Sequence, residues 1–274
     1  MINKFDYAEP SCPLSDGKDF YYPDKDAPLG RIPIKRIIDK LDSLFAKNEH
    51  QEIGKFLNYW KNEAIILKDK RGELEIENEL IGHYRMQNDS VKGIESINRA
   101  LILCDELGQS NLSSGATIFI NCATAYKAFN MVEKGLPLFI KAEDIYKKTL
   151  SKNDERFGGL YNNFALTYSD LGKFKEAEES YFKALEIMSK VPRGEAEAAI
   201  TYVNLAHLYE KFNLDEKINE CLENAFNLLQ SKNLPHNGYY AFVLNKCAPS
   251  FKYFGYNYLS QCMMKEVEEI YARS

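Results

Sequence analysis

Asparagine stands at positions 121, 163 and 204, each time five residues before an aromatic: Tyr126, Tyr168 and Tyr209. A carboxamide offers two donors and one acceptor on a single rigid group. A row of such groups about a repeat apart can hydrogen-bond successive peptide units of an extended chain without reading its side chains. That chemistry is recognition, and it makes or breaks no covalent bond. The alternative for the same residues is internal, with each amide bonding a neighbouring repeat or its own helix backbone.

The residue types that carry catalysis or bind metals lack the spacing for either. Of the six cysteines, Cys122 and Cys247 fall in one column with Leu80, Phe164 and Leu205, which reads as a core position. Cys221 and Cys262 lie on expected second helices and Cys104 near the end of another, so buried thiols acting as small hydrophobes are expected. The segment Cys12-Pro-Leu-Ser15 is half of a metal knuckle without its other half. His50, His83, His207 and His236 form no ligand-spaced pair. A Gly-rich phosphate loop and a nucleophile elbow are also missing. The expectation is a non-enzyme with no cofactor and no metal.

Charge excludes another class. Thirty-five Lys and Arg stand against 40 Asp and Glu, a net charge of −5, which gives no basis for nucleic-acid binding. No apolar run approaches the roughly 18 residues of a membrane span. The opening Met1-Ile-Asn-Lys-Phe-Asp-Tyr-Ala-Glu-Pro10 lacks the apolar core of a signal peptide, so the cytoplasm is the expected location.

The elements that must position the asparagines follow from a repeat. Tyr84, Tyr126, Tyr168, Tyr209 and Phe251 recur in steps of 42, 42, 41 and 42 residues. Three residues before each come Ile81, Ala123, Ala165, Ala206 and Ala248. Nine after come Gly93, Gly135, Ala177, Ile218 and Ser260, and sixteen after come Ala100, Ala142, Ala184, Ala225 and Val267. Such self-similarity means stacked helix pairs that bury one another's faces, with small residues where helix axes cross and aromatics filling the gaps. At about 100° per residue, Asn121 points roughly 150° away from Phe119, Cys122, Ala123 and Tyr126. Thr117, Thr124 and Ala128 share its stripe. The next copies place Gly159, Asn163, Leu166 and Asp170, then Ile200, Asn204, His207 and Lys211, on the same face. In the outer copies the asparagine column holds Glu79 and Lys246, each preceded by asparagine, Asn78 and Asn245.

The clearest copy runs Tyr161-Asn-Asn-Phe164-Ala165-Leu-Thr-Tyr168, Leu171-Gly172-Lys-Phe174 and Ala177-Glu-Glu-Ser-Tyr181-Phe-Lys-Ala184-Leu185. It resembles the tetratricopeptide repeat (TPR), with Tyr161 in the place of the Trp, Phe164 of the Leu and Ala165 of the first Gly. The period departs from the usual 34 or so residues, and the extra eight add about two helical turns per pair. HEAT and armadillo units are the structural alternative at this period, but the Leu171-Gly172-Lys-Phe174 turn favours long TPR units similar to those of kinesin light chains and bacterial peptide receptors. The resemblance covers about residues 72–272 and is weakest at its ends, where Ile81, Ser260 and Val267 depart. It implies an all-α, right-handed superhelical solenoid of antiparallel helix pairs whose first helices line a concave groove. Asparagine rows hold peptides in several TPR grooves, and that role carries over to Asn121, Asn163 and Asn204.

The remaining organisation is an extended, non-helical N-terminal arm over 1–32, rich in Pro and aromatics, and a solenoid over 33–274. Within the latter, 33–68 reads as an atypical first helix pair with its turn near Asn48-Glu-His50. Repeats follow at about 72–105, 114–150, 156–190, 197–231 and 238–272. The arm either caps the first helices or fills the groove. Glu75 and Glu79 lie toward one end of the groove, and Lys211, Lys246 and Lys252 toward the other. The expected function is to hold a protein or peptide segment through Asn121, Asn163, Asn204 and Thr124, with His207, Lys211, Lys246 and Tyr253 giving selectivity. Alternatives are an intracellular receptor for a small signalling peptide and a self-assembling homo-oligomeric scaffold that uses the arm.

Overall fold

The computed structural model describes residues 27–46 and 50–273, and within them all regular secondary structure is helical. The expected arm up to position 26, Cys12 and the turn at Asn48 lie outside the described residues. The helices are α1 (Ile34–Ala46), α2 (His50–Ile66), α3 (Lys70–Met86), α4 (Ser90–Glu106), α5 (Ser113–Ala128) and α6 (Val132–Thr149), followed by α7 (Arg156–Asp170), α8 (Phe174–Met188), α9 (Glu195–Glu210), α10 (Asp215–Leu229), α11 (Gly238–Tyr253) and α12 (Asn257–Arg273). From α3 onward they alternate as first and second members of TPR-like pairs. Two compact units divide at Ile145 and Tyr146, within α6.

The turns between paired helices are set by one column of residues. Asn88, Asn130, Gly172, Asn213 and Gly255 all adopt the left-handed conformation, with φ of 54°, 58°, 71°, 54° and 91°. Each lies four residues after the repeating aromatic, and glycine and asparagine are the types that tolerate this backbone. The next residue's N–H then reaches back to the aromatic's carbonyl, as in Lys173 N to Tyr168 O at 2.8 Å and Tyr256 N to Phe251 O at 2.8 Å. These bonds satisfy carbonyls that a helix end would otherwise leave open. Side chains cap helix starts at α3, α4 and α11, where Asp69, Asp89 and Asn237 each accept from an N–H three residues on, at 3.1 Å.

In the first unit, α1, α2 and α3 enclose Ile37, Leu41, Phe56, Leu57, Trp60 and Leu80. The start of the described chain is tied to this core, with Leu29 N donating to Leu67 O at 2.8 Å and Ile32 N to Asp69 Oδ2 at 3.1 Å. A second cluster joins α3, α4 and α5 through Ile81, Ile97, Ala100, Cys122 and Tyr126. At Gly135 of α6, a Cβ would lie 2.8 Å from the Ala123 carbonyl oxygen of α5, so only glycine permits this approach. Two carboxylates enter the interior with partners. Glu73 takes a bidentate pair from Arg99 at 2.6 and 2.8 Å, and Glu77 lies 2.7 Å from Lys61.

The second unit packs α7 to α12 around Ala165, Ala177, Tyr181, Ala206, Leu222, Ala225, Leu244 and Phe251. Adjacent first helices touch directly, α7 with α9 and α9 with α11. All five residues of the small column preceding the aromatics are at most 1% exposed across the two units. Cys104, Cys122, Cys221 and Cys247 are buried as expected, and burial pushes the thiols of Cys122, Cys221 and Cys247 up to about 12. Cys262 departs from the expectation, because it lies on the exposed side of α12.

Candidate functional site

The face of the first helices is what packing leaves uncovered. Helix α9 is buried on nearly every side, through Ala196, Ala199, Val203, Leu205, Ala206 and Leu208. Of its part-exposed residues, Glu197, Ile200, Asn204 and His207, followed by Lys211 just beyond it, form one stripe at helical spacing, while Glu195, Tyr202 and Glu210 lie off it. Neighbouring helices repeat the stripe in register: Gly159, Asn163, Leu166 and Asp170 from α7, and Tyr239, Phe242, Lys246, Pro249 and Tyr253 from α11. In the first unit, Thr117, Asn121, Thr124 and Ala128 of α5 and Glu75, Glu79, Gly82 and Met86 of α3 are likewise not buried.

The three asparagines differ in what they already hold. Asn121 Nδ2 donates to Asn78 Oδ1 at 2.8 Å, and Asn163 Nδ2 donates to the Gly159 carbonyl of its own helix at 3.0 Å. Asn204 is half-buried, and its side chain has no partner among the described residues. Thr124 donates back to the Ile120 carbonyl at 2.8 Å, which leaves its hydroxyl oxygen as an acceptor. A different asparagine, Asn162, is buried and joins α7 to α9 through Thr201 at 2.7 Å. Position 162 precedes the asparagine column by one, as Asn78 and Asn245 do, and that doubled asparagine is the sequence signal for it.

Of the residues expected to give selectivity, His207 and Tyr253 are joined through Glu210, while Lys211 and Lys246 have partners of their own. His207 Nε2 lies 2.9 Å from Ser250 Oγ and its Nδ1 3.5 Å from Glu210 Oε2. Tyr253 donates to Glu210 Oε1 at 2.5 Å, and the His207 ring stands 5.5 Å from that of Tyr253 and 4.8 Å from that of Phe254. Lys211 Nζ donates to Ser169 Oγ at 2.8 Å, and Lys246 sits over the Phe242 ring at 5.4 Å. Glu210 is the His207 partner that sequence reading missed, although it lies three residues on along the same helix.

A Ser–His–Glu sequence of contacts invites comparison with a nucleophile triad. The setting is wrong for one. Ser250 stands within α11, where backbone N–H groups are committed to the helix, and residue 249 is a proline with none to give. Glu210 is moreover shared with a tyrosine. The contacts instead tie α9 to α11.

Carboxylates interrupt the expected separation of charge, since Asp170, Glu197 and Glu210 share the second unit's face with Lys211 and Lys246. In the first unit, burial raises the carboxyl of Glu79 above its ordinary range, and Glu75 and Asp42 add repulsion; burial also raises Glu75. A carboxyl whose pKa rises on folding favours the folded state when protonated. Its contribution is therefore present at low pH and lost as pH climbs through the raised value. Glu79→Gln is expected to raise the melting temperature at pH 7, with the gain vanishing as pH falls through the carboxylate range. Fluorescence of Trp60, the sole tryptophan, follows this unit.

Fold and face together are those of a helix-repeat protein built of TPR-like pairs. Residues 157–245 match the tetratricopeptide repeat family model. Among solved structures, the nearly identical TPR-like repeats of a Podosopora anserina protein described as a kinesin light chain are similar, with a TM-score of 0.52 and 18% identity. That match covers 73% of this chain and 95% of the other. BtubC (BKLC) from P. vanneervenii is similar with a TM-score of 0.52 and 18% identity, covering 89% and 92% of the two chains. No curated protein matches the sequence. Among the described residues no helix is long and apolar enough to cross a membrane, and no group of three or more His, Cys, Asp or Glu could hold a metal ion.

Proposed function

We propose that this chain is a non-catalytic module that holds an extended protein or peptide segment against the face of its first helices. The observation that carries the reading is α9: a part-exposed stripe runs along it from Glu197 to His207, with the unpartnered amide of Asn204 within it. That amide presents donors and an acceptor to an incoming backbone at no cost in internal bonds. Asn121 and Asn163 each keep a carbonyl oxygen and one N–H after their internal bonds, so they take a secondary share. His207 and Lys211 on the same stripe, with Lys246 and Tyr253 on its α11 counterpart, select among side chains.

Quantitative affinity capture from native lysate tests the reading, once circular dichroism shows intact helicity in each variant. The partner retained by the wild-type chain should be lost with the Asn121/Asn163/Asn204→Ala variant. Asn204→Ala alone should weaken it about fivefold, the worth of one net hydrogen bond of about 1 kcal/mol, and more than Asn163→Ala does. Equal recovery by the wild-type and triple-variant chains would overturn the asparagine mechanism.

A further inference from the structure

The peptide-holding reading does not use a cleft of about 500 Å³ at the N-terminal ends of the second unit's first helices. Met188, Val191 and Pro192, from the end of α8 and the segment leading to α9, give it an apolar lining, and Tyr239 of α11 adds an aromatic one. Glu155, just before α7, and Glu197, in the first turn of α9, bring carboxylates. The Tyr239 hydroxyl donates to Glu197 Oε1. Burial, that bond and the charges of Glu197 and Glu155 raise the phenol's pKa well above its ordinary value, so both carboxylates act at the same end of the cleft.

The balance of charge is acidic. Two arginines also line the cleft, but Arg156 is held by Asp154 through two bonds of 2.8 Å, so its charge is already matched. Two carboxylates therefore face one unmatched guanidinium, that of Arg193. An acidic occupant would meet repulsion, and a wholly apolar one would strand both carboxylates without solvent. A long cationic side chain satisfies both halves of the lining, stem on apolar surface and head on charge. Access is open at Gly159, where an added Cβ would meet nothing within 4 Å.

We propose that this cleft is a pocket for a lysine or arginine side chain of the bound segment. The stem lies along Met188, Val191, Pro192 and the Tyr239 ring, and the charge sits between Glu155 and Glu197. The pocket rests on the peptide-holding reading for the segment that carries the side chain, while its own chemistry can be tested without one.

The probe is Nα-acetyl-arginine N-methylamide, titrated into the full chain and followed by the ¹³C-methyl signal of Met188, against the norleucine and glutamate analogues. Expected are saturable shifts for arginine, with a dissociation constant on the order of millimolar, that weaken with salt. Glu155→Gln/Glu197→Gln should weaken binding at least about fivefold. Gly159→Leu, whose Cβ would meet nothing within 4 Å and whose leucine suits a helix, should block the probe with helicity intact. Norleucine binding as well as arginine, glutamate binding better, or the double variant binding unchanged would each overturn the pocket. A pocket that binds arginine while lysate capture ignores the asparagine variants would sink only the asparagine row. Asparagine-dependent capture by a chain that cannot tell arginine from norleucine would sink only the pocket.

Discussion

Lys61→Ala is expected to destabilise the first unit by about 3–5 kcal/mol, the usual result of stripping a buried charge of its partner. The Glu77 side chain is wholly buried, and Lys61, 27% exposed, approaches Oε1 to 2.7 Å. Neither carboxylate oxygen receives a well-directed hydrogen bond there, so the ammonium's charge is what makes the buried site tolerable. Removing it leaves desolvation uncompensated. Replacing both partners, as in Lys61→Met/Glu77→Leu, should recover most of the loss, because apolar groups of similar volume carry no desolvation cost. Urea unfolding followed by Trp60 fluorescence reads the result, since Trp60 is 2% exposed and adjacent in sequence to Lys61. With a slope of about 1–3 kcal/mol per molar urea, the single variant's midpoint should fall by at least about 1 M. An unchanged midpoint would show that Glu77 reaches another partner or water when Lys61 is gone.

Glu77 also marks where sequence reading stopped. It occupies the column of Phe119, Tyr161, Tyr202 and Leu244, the place of the tryptophan in the TPR pattern. A column of apolar residues broken once by an acid, with a lysine sixteen residues upstream, is a legible sign of a buried pair, but the lysine lies outside the repeat and no spacing rule connects them. The helix pairs themselves were legible because duplication writes one packing solution five times, so that Ala123, Ala165, Ala206 and Ala248 reveal the close crossings together. The exposed stripe was legible by helical arithmetic alone. The state of each asparagine was not, because it depends on the neighbour: Asn78 happens to face Asn121, the Gly159 carbonyl lies within reach of Asn163, and Asn204 meets neither kind of partner. The left-handed turn column was visible as Asn, Asn, Gly, Asn, Gly, yet only Gly172 was read for it. The cleft beside Tyr239 was out of reach, since the segment Val191-Pro192-Arg193 follows no repeat column.

That segment supplies the last large effect, Gly194→Ala, expected to cost about 3 kcal/mol, the upper end for forcing atoms into a packed site. Gly194 precedes α9 in ordinary right-handed backbone, so the cost is steric alone. Its added Cβ would collide with the Met188 carbonyl oxygen, come within 2.8 Å of the carbonyl carbon and lie 2.9 Å from Val191 Cγ2. The backbone that ends α8 cannot yield without moving the helix. Gly158→Ala makes the informative contrast, because its Cβ would collide with the same residue at the far end of the side chain, the Met188 methyl. A methionine swings aside at small cost, so Gly158→Ala should lose well under half as much. Met188→Ala should relieve the clash at 158 and leave the one at 194 untouched. Urea midpoints by circular dichroism for the two single variants and their combinations with Met188→Ala decide the matter. If Met188→Ala rescued Gly194→Ala, the segment from α8 to α9 would be soft enough to move, and a cleft walled by Val191 and Pro192 could not hold a fixed shape for a cationic side chain.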